Sequence, residues 1–115
     1  MRYLFLLYGD EQAEAALTDE QREEIITAHG TFTESLHAES REVSGAGMEP
    51  TSTATLVRRS ADGAEEITDG PYAETKEQIG GLYLVECADM DDALAVANRV
   101  PYSPGLRIEV RPAPY

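Results

Sequence analysis

The spacing of apolar positions changes several times along the chain, and each change marks a new element. Arg2 to Tyr8 (RYLFLLY) is apolar or aromatic at both alternating sets of positions, the pattern of a strand covered on both faces. Gly9 to Ala16 reads as a polar loop. Thr18, with Gln21 three residues on, supplies a capping-box pair and opens a helix. Within it Ile25, His29, Phe32 and Leu36 follow at spacings of four, three and four, so they share one face and His29 stands in an apolar stripe.

Arg41 to Met48, with two glycines, reads as a weak strand or irregular return closed by Pro50. Thr53 to Arg59 (TATLVRR) is a β-branched strand, Asp62-Gly63 a hairpin turn, and Ala64 to Thr68 the returning strand. Leu82 to Cys87 (LYLVEC) is a strand without a clean polar face. Asp89 caps a second helix, and Asp91 and Asp92 fall in its first turn, where the helix dipole favours negative charge. Ala93, Leu94, Val96, Ala97 and Val100 supply its apolar side, and Pro101 stops it. Leu106, Ile108 and Val110 then alternate with Arg107, Glu109 and Arg111 in a final strand.

Strand, helix, strands with a hairpin, strand, helix, strand is the order of an α+β, ferredoxin-like subunit with an extra hairpin. Two helices cover one face of such a sheet, yet the first and fifth strands are apolar on both faces. A symmetric homodimer joined sheet to sheet would cover the remainder.

Length and composition narrow the picture. The 115 residues are the size of one domain, 1–115, with one modest core. Nine Lys and Arg against 22 Asp and Glu give a formal charge of -13, a field that repels a phosphate backbone, so direct nucleic-acid binding is not expected. Tyr3 to Tyr8 is shorter than a secretory h-region and lacks a basic n-region, and no run approaches the ~20 apolar residues of a membrane span. Cys87 is the single cysteine, which excludes an intrachain disulfide and fits a reducing compartment; the cytoplasm is the expected location.

Candidate chemistry gathers at two places. In TDGPYAETKEQIGG, residues 68–81, Asp69-Gly70-Pro71 reads as a turn, Glu74, Lys76 and Glu77 as charged positions that suit a solvated face, and Gly80-Gly81 as a bulge or a point of close backbone approach. His29 reads either as a hydrogen-bonded core residue or as a general base oriented by a carboxylate. His37, near the end of the same helix, is explained by the dipole. Two His and one Cys at these spacings match no metal site, and no phosphate-cradling loop, serine elbow or dinucleotide fingerprint is present, so no cofactor is expected.

The run DGPYAETKE, Asp69 to Glu77, followed by Gln78-Ile79-Gly80-Gly81, resembles the DGPFAETKE signature of the DGPF group of YCII-related proteins, with Tyr72 in place of Phe. The resemblance extends to YLFLLYGDE at the start, Ala28-His29-Gly30 with Phe32, PTSTATLVR and the closing IEVRP. It implies a dimeric α/β barrel of ferredoxin-like subunits, in a family largely without assigned function and often encoded beside extracytoplasmic-function sigma factors. It also implies a His and Asp pair in a cleft; one relative is a dehydrochlorinase acting on a chlorinated hydroxyquinol. His29 matches the helix histidine, and Asp69 is placed on the DGP motif.

Two readings follow. One is a small dimeric acid/base enzyme, lyase or isomerase-like, acting on a small polar or aromatic metabolite, with His29 as base, Asp69 as its partner, and Tyr72, Glu74 and Lys76 binding the ligand around the cleft. The other is a noncatalytic dimeric module that senses a small molecule or works in a sigma-factor pathway.

Overall fold

β1 (Arg2–Asp10) is buried at every odd position from Tyr3 to Gly9 and half-buried at every even one from Leu4 to Asp10, so one of its faces is packed and the other only partly covered. The computed structural model describes residues 1–69 and 77–115, with the side chains of Asp69 and Glu77 outside the description. β1 is central in a four-stranded antiparallel sheet ordered β2-β5-β1-β6, formed with β2 (Val43–Gly47), β5 (Glu77–Glu86) and β6 (Arg107–Ala113). β3 (Thr55–Arg59) and β4 (Glu65–Asp69) pair with each other in a separate two-stranded sheet. This α+β arrangement has the strand order of a ferredoxin-like sheet with a hairpin inserted between its second and third strands.

Residues 9–16 are not a loop. β1 runs on through Gly9 and Asp10, and α1 (Glu11–Ala15) follows at once because the Asp10 carboxylate accepts from the Gln12 and Ala13 amides. In α2 (Asp19–Ala38) the capping box is complete: Thr18 accepts from the Gln21 amide, and the Gln21 side chain accepts from the Thr18 amide. α3 (Met90–Ala97) is capped by Asp89, which accepts from the Asp92 amide at 2.8 Å. Its buried stripe is Ala93, Val96, Ala97 and, one turn on, Val100; Leu94 lies off the 3–4 spacing of that stripe and is 51% exposed, so it is no part of the apolar side. The strand expected from Thr53 begins at Thr55, because Thr51–Thr53 forms a 3-10 turn.

Phe32 and Leu36 of α2 and the α3 stripe pack against Tyr3, Phe5, Leu7, Val85 and Cys87, so both helices lie on the same face of the sheet. Phe5, Leu36, Val85 and Val96 are fully enclosed. The end of α2 is tied to α3 by charge. Arg41 grips Asp92 with two bonds of 2.7 and 2.9 Å and bonds Glu39 at 3.0 Å, while Arg99 reaches Glu39 and the Ser35 hydroxyl.

On the opposite face Leu4 stands opposite Leu84, and Leu6 opposite Leu82. Arg111, Glu109 and Arg107 of β6 stand opposite Leu4, Leu6 and Tyr8, and the Tyr8 hydroxyl bonds Glu109 at 3.1 Å. The glycine pair of β5 serves both purposes expected of it. Leu7 pairs with Gly81 but Tyr8 with Ile79, which leaves Gly80 as a bulge, and a Cβ on Gly81 would lie 3.2 Å from the Ala46 carbonyl oxygen.

Candidate functional site

The α2 stripe and the bulged β5 strand meet at His29. Beyond the bulge the odd positions of β5 face the helices, which places Tyr83 on the same side as Val85 and Cys87 and beneath α2. The His29 and Tyr83 rings lie nearly parallel, 5.9 Å between centroids and 20° between planes, and His29 Nδ1 is 2.7 Å from the Tyr83 hydroxyl oxygen. Phe32, one turn along α2, meets the Tyr83 ring edge-on at 5.2 Å.

Tyr83 has room because its neighbour in β2 is Gly45. The two stand directly opposite in the ladder, and a Cβ on Gly45 would come within 2.6 Å of both the Leu82 carbonyl oxygen and the Tyr83 ring. The phenol is thus walled by α2 above and by bare backbone at the sheet edge.

Burial sets the protonation of the pair. It lowers the pKa of His29, so the imidazole is neutral at pH 7. It raises that of Tyr83, against a smaller opposing effect from the Thr33 hydroxyl, so the phenol keeps its proton. Two neutral groups share one hydrogen bond, and His29 Nε2 has no hydrogen-bond partner among the described residues.

Further along the sheet, a Cβ on Gly9 would lie 2.8 Å from a Glu14 carboxylate oxygen, so α1 rests its acid directly on the strand. Burial raises the Glu14 pKa, and the neighbouring Glu11 and Asp10 charges raise it further. At the β2 end of the molecule an open depression of about 560 Å³ is lined by Arg2, Arg41, Ser44 and Leu84, among others, but not by His29. Arg41 is already committed there to Asp92 and Glu39, and His37 and Glu42 also line the depression.

Of the five residues the sequence offered, His29 is where its stripe placed it. Asp69 ends β4, where its backbone pairs with that of Thr55; its side chain lies outside the described residues, as do Tyr72, Glu74 and Lys76 and the turn and charged loop they belong to. The residue that touches His29 is Tyr83, which pattern reading left inside an apolar strand. The available signal was a single polar tip at a core-facing position, two residues before Val85.

An antiparallel sheet of ferredoxin-like order, two helices on one face and a half-buried, uncharged His–Tyr pair beneath the longer helix define a small α+β protein with a polar contact set between helix and sheet. The YCII-related domain matches residues 1–112, and the chain belongs to that family. It is also similar to an uncharacterised protein of Rhizobium meliloti (strain 1021), 38% identical over 105 residues that cover 85% of this chain and 78% of that protein.

Proposed function

We propose that this YCII-related protein is a small acid/base enzyme, lyase or isomerase-like, that exchanges a proton with a small metabolite through His29 Nε2. The observation that carries the reading is the 2.7 Å bond between His29 Nδ1 and Tyr83. A half-buried pair held this way fixes the ring and leaves one nitrogen for chemistry, and its partial burial keeps the ring neutral near physiological pH. In this reading Asp69 and the charged loop, with Tyr72, Glu74 and Lys76, complete the cleft.

A thermal-shift screen of small phenols, ketones and carboxylic acids against wild type and His29→Gln tests it. Compounds that raise the melting temperature of wild type and not of the variant, and that are turned over by wild type alone, are expected. Ligands that stabilise both proteins equally, with no turnover, would overturn the enzyme and leave a noncatalytic sensor.

The working form in this reading is a homodimer joined through the open sheet face. Leu4 opposite Leu84 and Leu6 opposite Leu82 make an apolar centre, and Arg107, Glu109 and Arg111 edge it, the layout of an interface core with a polar rim. Sedimentation at micromolar concentration should give twice the chain mass for wild type and the single-chain mass for Leu6→Glu. Leu6 points away from the packed core, so that variant keeps its fold. A wild type of single-chain mass would sink the dimer.

A further inference from the structure

We infer that the outer edge of β2 docks an extended peptide as an added antiparallel strand, with a carboxylate at the C-terminal end of that peptide seated in the depression beside Arg2. This site is separate from His29 and does not depend on the role proposed for it.

The phase of the ladder decides which backbone groups β2 offers. In an antiparallel pair only alternate residues exchange hydrogen bonds. The Glu42 carbonyl accepts from the Glu86 amide and the Met48 amide donates to the Gly80 carbonyl, each at 2.9 Å. The even positions of β2 therefore bond β5, and the odd ones, Val43, Gly45 and Gly47, turn their N–H and C=O outward. Those groups have no hydrogen-bond partner among the described residues, and Ser44 to Gly47 are exposed. The far edge of the sheet is different. The Cys87 amide donates to the Met1 carbonyl, so odd residues of β1 bond β5, even ones bond β6, and Ile108, Val110 and Pro112 point outward from β6. Pro112 has no N–H to give, which blunts that edge against strand addition. β2 carries no Pro, no charged side chain and no bulge. One side of the sheet is guarded and the other is open.

A second copy of this chain is the poorer fit for the open edge. Pairing along five small residues covers far less than the roughly 800 Å² per partner of a stable interface, and both copies carry the same charge of -13. An added peptide needs less, because its main chain supplies the bonds. Laid antiparallel on β2, it starts near the exposed Met48 and ends beside Val43. There the depression of about 560 Å³ is lined by Val43, Ser44, Ser40 and Arg2. Arg41 is tied to Asp92 and Glu39, but Arg2 has no ion-pair partner among the described residues, in a chain where acids outnumber bases 22 to 9. Its guanidinium can fork onto a carboxylate, with the Ser40 and Ser44 hydroxyls nearby as further donors. Glu42, in the same lining, makes a second acid on the peptide unfavourable.

Panning random octapeptides with free C-termini against the wild-type protein, followed by fluorescence anisotropy of the selected sequences, tests the site. Peptides with a carboxylate at the C-terminal end and no second acid beside it are expected. Amidating the C-terminus, or changing a terminal acid to its amide, tells main-chain from side-chain carboxylate. One of the two should weaken binding about tenfold, and Arg2→Gln should erase that difference. Gly47→Pro removes one outward N–H and leaves the bonds to β5 in place; a Cβ there meets nothing within 4 Å, so the variant keeps its fold. It should weaken every selected peptide about tenfold, whereas Gly47→Ala should bind as wild type does. Amide exchange gives a second readout: Gly45 and Gly47 should exchange fast in the free protein and slow when peptide is bound, with Ser44 and Ala46 slow throughout. Failure to select any peptide, wild-type affinity in Gly47→Pro, or indifference to both carboxylate changes would overturn the proposal. Protection of Gly45 and Gly47 that rises with protein concentration alone would give the edge to a second copy and overturn it too.

Discussion

Replacing Gly45 by Ala is the sharpest test of how the Tyr83 ring is housed. The new Cβ would lie 2.6 Å from the Leu82 carbonyl oxygen and 2.6 Å from a Tyr83 ring carbon, whereas ordinary contact begins at 3.4 Å, so something must move by about 0.8 Å. Neither neighbour yields easily. The carbonyl belongs to the backbone of β5, and the ring is held between Phe32 and His29. β2 is an edge strand and could shift outward, at the expense of its ladder to β5.

Overpacking of this kind costs about 1–3 kcal/mol, more than the roughly 0.5–1 kcal/mol that Ala gains over Gly within a strand. The melting temperature should fall by several degrees, at roughly 4 °C per kcal/mol for a domain of this size. If the ring gives way, the 2.7 Å bond to His29 stretches past the usual range of a hydrogen bond, so the His29 titration should change along with the stability. Gly47, on the same strand, is the control. A Cβ there meets nothing within 4 Å, and Gly47→Ala should be neutral or slightly stabilising. Thermal unfolding followed by circular dichroism measures both. Equal stability of the two variants would refute the account of the space beside Tyr83.

Three further outcomes follow from the same structure. Gly30 lies inside α2 with nothing within 4 Å of a built Cβ, so Gly30→Ala should stabilise by about 1 kcal/mol and raise the melting temperature by a few degrees. Bonds from Arg41 hold Asp92 down to about 2 and bonds from Arg99 and Arg41 hold Glu39 down to about 2, both below their unfolded values, so the stability they contribute is complete above about pH 4.5 and lost as pH falls toward 2. Glu14, raised by burial, runs the opposite way in the same range, and Asp92→Asn should visibly flatten the acid limb of a pH–stability curve. The folded pKa of His29 lies below the unfolded 6.5, so the unfolded chain takes the proton first and stability drops as pH falls below 6.5; His29→Gln should remove that drop between pH 6.5 and 5, and a wild-type curve flat across this window would contradict the burial of the ring.

The sequence by itself determined most of the elements, though not α1, the 3-10 turn at Thr51–Thr53 or the start of β5 at Glu77 instead of Leu82. Thr18 with Gln21, Asp89 and Asp62-Gly63 act within a few residues of themselves, so caps and turn could be read locally, and the 3–4 and 2-residue spacings named Phe32, Leu36, Val96 and Ile108 as inward-facing. The double apolar pattern of β1 likewise announced a sheet with more apolar surface than two helices cover. The tertiary structure decided what periodicity does not encode. Asp10, which looked like loop, became a cap because β1 ends where its carboxylate meets two free amides. Leu94, apolar in sequence, faces outward because the stripe around it closes without it. Above all, His29 and Tyr83 stand 54 residues apart, and only the Gly80 bulge, which resets the parity of β5, and the bare backbone of Gly45 bring that phenol under that helix. A spacing rule says which face a residue occupies; the register between distant strands says what it meets there.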